Sequence, residues 1–189
     1  MKTPLLACAA VLAAPLMCSA QALPRPTDPN PEISALVAEV SPARIERTIR
    51  TLAAFGTRNS LSDTVSETRG IGAARRWIRA RLEECSREAG GRLKVDFDVH
   101  HLESAARIPH PVDIVNVVAT LPGTQPESVR RYYVISGHYD SMPSSPVDGE
   151  RDAPGADDDA SGTAVSMELA CVMARHRFDA TLVFMAVAG

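Results

Sequence analysis

Apolar residues follow several rhythms along this chain, and each predicts a different element. From Leu5 to Met17 they run on without a single charge. Residues 32–54 then repeat at helical spacing. Ser41-Pro42 offers an N-cap with proline at the first helical position, Ile45, Ile49, Leu52 and Ala53 share a face, and Gly56 stops the run. Thr68 to Ala89 repeats the pattern through Ile71, Ala74, Ile78 and Leu82, with Trp77 flanking that face and Gly90-Gly91 behind it. After Gly91 the period drops to two. Leu93, Val95, Phe97 and Val99 alternate with polar residues, as in a half-buried strand. Residues 113–123 and 130–141 predict two more strands, and the apolar run Tyr132–Ile135 reads as covered on both faces. Ser161 to His176 returns to helix, and Thr181 to Val187 is again apolar throughout. Helices interleaved with apolar strands predict an α/β fold, a three-layer sandwich with one sheet at its centre.

Composition narrows the classes. The 189 residues are 45% hydrophobic and 23% charged, enough for one domain with a real core. A net charge of −3 gives no electrostatic footprint for a nucleic-acid partner. The opening MKTPLLACAAVLAAPLMCSAQA has a positive start at Lys2, an apolar centre and a small-x-small close at Ala20-Gln21-Ala22. That is the pattern of a cleaved signal peptide over 1–22, so a secreted or periplasmic product with no membrane anchor is expected. Its apolar run is shorter than the roughly 20 residues of a spanning helix. LPRPTDPNP follows, and residues 23–40 read as a Pro-rich linker and the start of the first helix. Cys85 and Cys171 remain after cleavage. An oxidising compartment permits their pairing, but each sits in a helical pattern where a free buried thiol is the commoner outcome.

Two stretches carry chemistry at strand ends, where α/β sheets gather their ligands. Gly137-His138-Tyr139-Asp140-Ser141 closes the third strand, and PGADDDASG (154–162) opens the following helix. In His138-x-Asp140 both side chains point to one side of an extended chain. The imidazole would offer one nitrogen to a metal while the carboxylate holds the other N–H. Asp157, Asp158 and Asp159 place three carboxylates side by side at a helix start. Such a cluster is either a solvated cap or a set of hard ligands for a cation. A second cation reading also fits the spacing: Asp157, Asp159, Ser161, Gly162 and Glu168 match the calcium loop of an EF-hand over 157–168. Asp152-Ala153-Pro154-Gly155 breaks the leading helix such a loop needs.

GHYDS followed by APGADDDASG resembles the di-zinc aminopeptidase family, metallopeptidase family M28. FGTR (55–58), RGIGAARRWI (69–78) and NVVATLPG (116–123) stand in the family's order, so the resemblance spans about residues 41–189. It implies a zinc-exopeptidase-like fold, a mixed and largely parallel sheet, two zinc ions and a peptide substrate. His138 would ligate one zinc, Asp140 would orient His138, and Asp158 would bridge both ions, with a cis peptide between Asp158 and Asp159. The family places a general-base glutamate and an adjacent glutamate ligand directly after a strand resembling LVFMAVAG, with an aspartate and a histidine later. None of these is among the 189 residues. The resemblance therefore implies the N-terminal part of a catalytic domain, cut after about its first half and inactive alone. Relatives with this metal core include carboxypeptidases and glutaminyl cyclases, and a non-catalytic binding protein is the reading of another class.

Overall fold

Proline opens each of the first two helices. In α1 (Pro31–Glu39) the Asn30 side chain accepts from the Glu32 N–H, and in α2 (Pro42–Ala54) the Ser41 Oγ accepts from the Arg44 N–H. The computed structural model describes residues 30–189; the expected leader at 1–22 and linker residues 23–29 lie outside the described residues. The single helix expected over 32–54 is two. Pro42 disfavours helical dihedrals at Ser41, which is extended at φ −112° and ψ 111°, so the chain must leave the helix before re-entering it.

α3 (Gly70–Glu88), β1 (Lys94–Leu102), β2 (Val112–Leu121), β3 (Tyr132–His138), α4 (Ser161–Met173) and β4 (Thr181–Val187) follow. They form one mixed four-stranded sheet in the order β1-β2-β4-β3. β1 pairs with β2, and β2 with β4, antiparallel; only β3 and β4 run parallel. The α/β class and the mixed sheet hold. The largely parallel character does not, among the described residues, because only β3 and β4 are joined by a helical crossover, through α4.

The period-two pattern decides which face is covered. Val117, Ala119 and Leu121 of β2 and Leu182, Phe184 and Ala186 of β4 form the core with Ile71, Ala74, Ile78 and Leu82 of α3 and Met167 and Ala170 of α4. α3 and α4 touch each other as well as the sheet, so both lie on this one face. Val118, Val183, Met185 and Val187 point to the other face, where no helix among the described residues packs. Over these residues the expected three layers are therefore two. β3 is also not covered on both faces. Among the described residues it is an edge strand, with Tyr132 63%, Tyr133 54% and Val134 60% exposed.

α3 and α4 are joined covalently. Cys85 and Cys171 form a disulfide (S–S 1.99 Å), a pairing the sequence leaves open and the less common outcome for cysteines in such a pattern. Helix packing brings their Cα atoms to 5.1 Å, inside the range a disulfide needs. No helix among the described residues is long and apolar enough to cross a membrane.

Candidate metal centre

The carboxyl end of β3 lies against the N-terminal turn of α4, and glycine makes the approach close. A Cβ on Gly137 would stand 2.3 Å from the Thr163 nitrogen and 2.4 Å from the Gly162 carbonyl carbon. These are backbone atoms, so a side chain here must push strand and helix apart. Gly137→Ala is expected to lower stability by about 2 kcal/mol, read as a lower denaturant midpoint at unchanged m-value. An unshifted midpoint would show that strand and helix yield freely.

Asp159 fastens the same junction. One carboxylate oxygen accepts from the His138 N–H at 2.9 Å and the other from the Gly162 N–H at 2.8 Å. Asp159 is thus the helix-capping member of the three aspartates. Ser161 instead donates its hydroxyl to the Asp157 carbonyl, 2.8 Å away. The turn Ala156–Ala160 between them is irregular: Asp158 sits at φ −107°, ψ 100°, and the Asp158–Asp159 peptide is cis, at the position expected.

This turn swings Asp158 towards His138. The imidazole Nε2 lies 2.9 Å from Asp158 Oδ1, and Nδ1 lies 3.2 Å from Asp140 Oδ1. Asp140 is half-buried, whereas the Asp158 side chain is 89% exposed and open to a ligand. Burial pulls the His138 pKa down, but Asp140, Asp159 and Asp158 together outweigh it and hold the ring above its usual value. A zinc ion taken up between Nε2 and Asp158 would displace the Nε2 proton and use that lone pair, while Asp140 holds the proton on Nδ1. An imidazole nitrogen and a carboxylate oxygen are a donor pair that zinc accepts. They are two donors. No group of three or more His, Cys, Asp or Glu side chains arranged to hold a metal occurs among the described residues. A cavity of about 230 Å³ adjoins Asp140, between Leu102, Ile114, Met142 and Pro146.

Arg58 holds the frame around this pair, and sequence reasoning had marked it only as a letter of the FGTR motif. It is fully buried. Its guanidinium donates to the carbonyls of Tyr139 (2.5 Å), Leu52 (2.9 Å), Pro154 (2.7 Å) and Gly155 (3.0 Å). One side chain therefore ties the loop after β3 to the turn before Asp157. Burial pushes its pKa down to about 10, opposed by the charge of Asp140, so it stays a cation at neutral pH. Ser141 repeats the connection, accepting from the Arg58 N–H at 2.9 Å and donating to the Ala153 carbonyl at 2.6 Å. Tyr139, also fully buried, donates to the Val115 carbonyl at 2.7 Å, and burial raises its phenol above the ordinary value.

The calcium-loop reading is overturned. Residues 161–173 are helix, where an EF-hand has its loop, and the chain leading to Asp157 is loop rather than helix. Glu168, the required closing ligand, is 5% exposed and turned away. It accepts from the Arg44 guanidinium at 2.5–3.1 Å and from the Ser41 N–H at 2.7 Å. Outside the site His100 pairs with Asp98, His101 with Asp113 and, far apart in sequence, His176 with Glu39.

Residues 116–189, which contain His138, Asp140 and Asp158, match the model of peptidase family M28. A probable zinc metalloprotease of Pyrenophora teres f. teres is 47% identical over 163 residues, 85% of this chain and 35% of the relative. The chain belongs to peptidase family M28. Another relative, a probable zinc metalloprotease of Leptosphaeria maculans, is 48% identical over 161 residues, 85% of this chain and 37% of its own length. A probable leucine aminopeptidase of Arthroderma otae is 31% identical over 138 residues, 72% of this chain and 31% of the relative. Among solved structures, glutaminyl cyclase from Macrostomum lignano superposes with a TM-score of 0.61 at 18% identity, covering 89% of this chain and 44% of that one. That likeness concerns the fold. The chain spans about a third of the length of the curated relatives it matches.

Proposed function

We propose that the chain is part of a secreted, zinc-dependent M28 exopeptidase, an aminopeptidase that removes N-terminal residues from peptides. The observation that carries the reading is the meeting of His138 Nε2 with Asp158 at the carboxyl end of β3, with Asp140 behind Nδ1. His138 and Asp158 would hold zinc, and Asp158, with two oxygens and an open side, would bridge a pair of ions. Bound zinc supplies an activated water and polarises the scissile carbonyl. The residues of this chain do the positioning. Asp140 keeps the proton on Nδ1, Asp159 fixes the His138 backbone against α4, and Arg58 holds both loops in place. The aminopeptidase assignment, rather than glutaminyl cyclisation, draws on the 31% identical relative that is named a probable leucine aminopeptidase.

Zinc centres use three or four protein ligands. With two, the 189 residues hold zinc weakly and do not hydrolyse peptides alone. Calorimetric titration of the purified chain with zinc is expected to show weak binding that His138→Ala and Asp158→Asn each abolish. Binding that survives both substitutions would remove these residues from the centre, and hydrolysis of an aminoacyl anilide by the chain would overturn its inactivity. Export is tested separately. Expression in a secreting host is expected to release a product beginning at Leu23, read by mass spectrometry; retention with Met1 intact would refute the leader.

A further inference from the structure

Helix–helix grooves are ordinarily filled by apolar side chains, but the groove between α2, α3 and α4 is not. A cavity of about 220 Å³ opens there, and no residue of the candidate metal centre lines it. Arg44, Arg47 and Thr48 face it from α2, at the i, i+3, i+4 spacing of one helix stripe. Arg81 enters from α3, one turn after Trp77, and Met167 and Glu168 close it from α4. Three guanidinium groups thus share one cleft.

Their charges are unequally met. Arg44 is neutralised by Glu168, and Arg81 pairs with Glu84 at 2.5 Å. Arg47 makes no ion pair and no side-chain hydrogen bond among the described residues. The cleft therefore carries one uncompensated cation, a threonine hydroxyl beside it, and an apolar wall of Trp77 and Met167. A planar fork of N–H donors matches an oxyanion in two-point geometry, and an indole offers a flat surface to an apolar body.

We propose that this cleft is a binding site for a small organic anion, an oxyanion head held by Arg47 and Thr48 with a flat apolar body against Trp77. The volume suits a ligand of the size of an aromatic carboxylate. The site stands independently of the metal centre and of the peptidase reading.

Trp77 is the only tryptophan of the chain, so its fluorescence reports this cleft directly. Titration of the purified chain with sodium benzoate, against sodium chloride at equal ionic strength, is expected to give a saturable change in emission. Inorganic phosphate, which lacks the apolar body, is expected to bind more weakly. Arg47→Gln is expected to weaken benzoate binding roughly tenfold or more, the worth of a charge-assisted pair. Arg47 is exposed and tied to no other side chain, so the variant is expected to unfold at the parent's denaturant midpoint. Arg50→Gln, in the exposed Arg50–Glu46 pair outside the cleft on the same helix, is expected to leave binding unchanged. A response no different from chloride would overturn the site. Saturation that Arg47→Gln leaves intact would overturn its chemistry, and phosphate binding as tightly as benzoate would overturn the ligand class.

Discussion

Replacing Cys85 and Cys171 together by alanine is expected to lower the unfolding free energy by about 4–5 kcal/mol. The bond closes a loop across a sequence separation of 86 residues, and the loop-closure entropy it removes from the unfolded chain scales with the logarithm of that length. For a domain of this size the change corresponds to a fall in Tm of roughly 10–15 °C. The effect should be visible without mutation, as a fall in the urea midpoint when a thiol reductant is added. Reductant should then have no effect on the double-alanine variant. Equal midpoints with and without reductant would mean that the bond contributes nothing to the folded state. The two helices it joins also share a hydrophobic contact through Ile78, Leu82, Met167 and Ala170, so the reduced chain retains a core to fold around.

Arg58→Met is expected to be at least as damaging, by about 4 kcal/mol or more, and to act at the candidate site rather than evenly. Methionine resembles the arginine stem in size and fills the same volume, so the loss is one of hydrogen bonds. The carbonyls of Tyr139 and Pro154 lose their donor, the first in a buried and the second in a part-buried setting, while those of Leu52 and Gly155 lose one of two, keeping the Phe55 and Ala160 N–H groups. Each unsatisfied buried acceptor costs about 1–3 kcal/mol. Arg58→Lys should rescue little, because one ammonium cannot serve acceptors arranged around a planar fork. The distinguishing readout is the NMR signal of the His138 ring, which should broaden or shift when the loops at 139–141 and 153–155 lose their common anchor. A variant with parental stability and an unmoved His138 signal would remove Arg58 from the frame.

Several of these features could be read in the chain before any coordinates. Strand β4 begins and ends where its apolar run does, because a central strand is wrapped by neighbours along its whole length. That His138 and the three aspartates share one end of the sheet was legible for a different reason: a histidine at a strand end and acids at the next helix start lie near one another in an α/β crossover, whereas the choice of Asp158 among the three came from the resemblance to family M28. The run Tyr132–Ile135 misled, since an apolar strand has one appearance whether it lies inside a sheet or at its margin. Local pattern carries no record of strand order. The calcium-loop spacing misled for a similar reason. Asp157, Asp159 and Glu168 have the right separations, but their directions are set by a helix that starts at Ser161 and by Arg44, more than a hundred residues earlier. Nor could spacing alone disclose the disulfide, which depends on how α3 and α4 lie across the sheet. Arg58 was hidden by its type. Arginine is almost never fully buried, and nothing in FGTR tells that its side chain turns inward.

The sheet order carries one more consequence, for the sequence of events in folding. β4 follows β3 in sequence, yet among the described residues it lies between β2 and β3. β1 and β2 can zip together as soon as both have left the ribosome, since they need only each other. β3 has no partner among them. Among the described residues it joins the sheet only through residues 181–187, more than forty positions downstream of its own end. The strand that delivers His138 therefore waits, unpaired, until the keystone arrives.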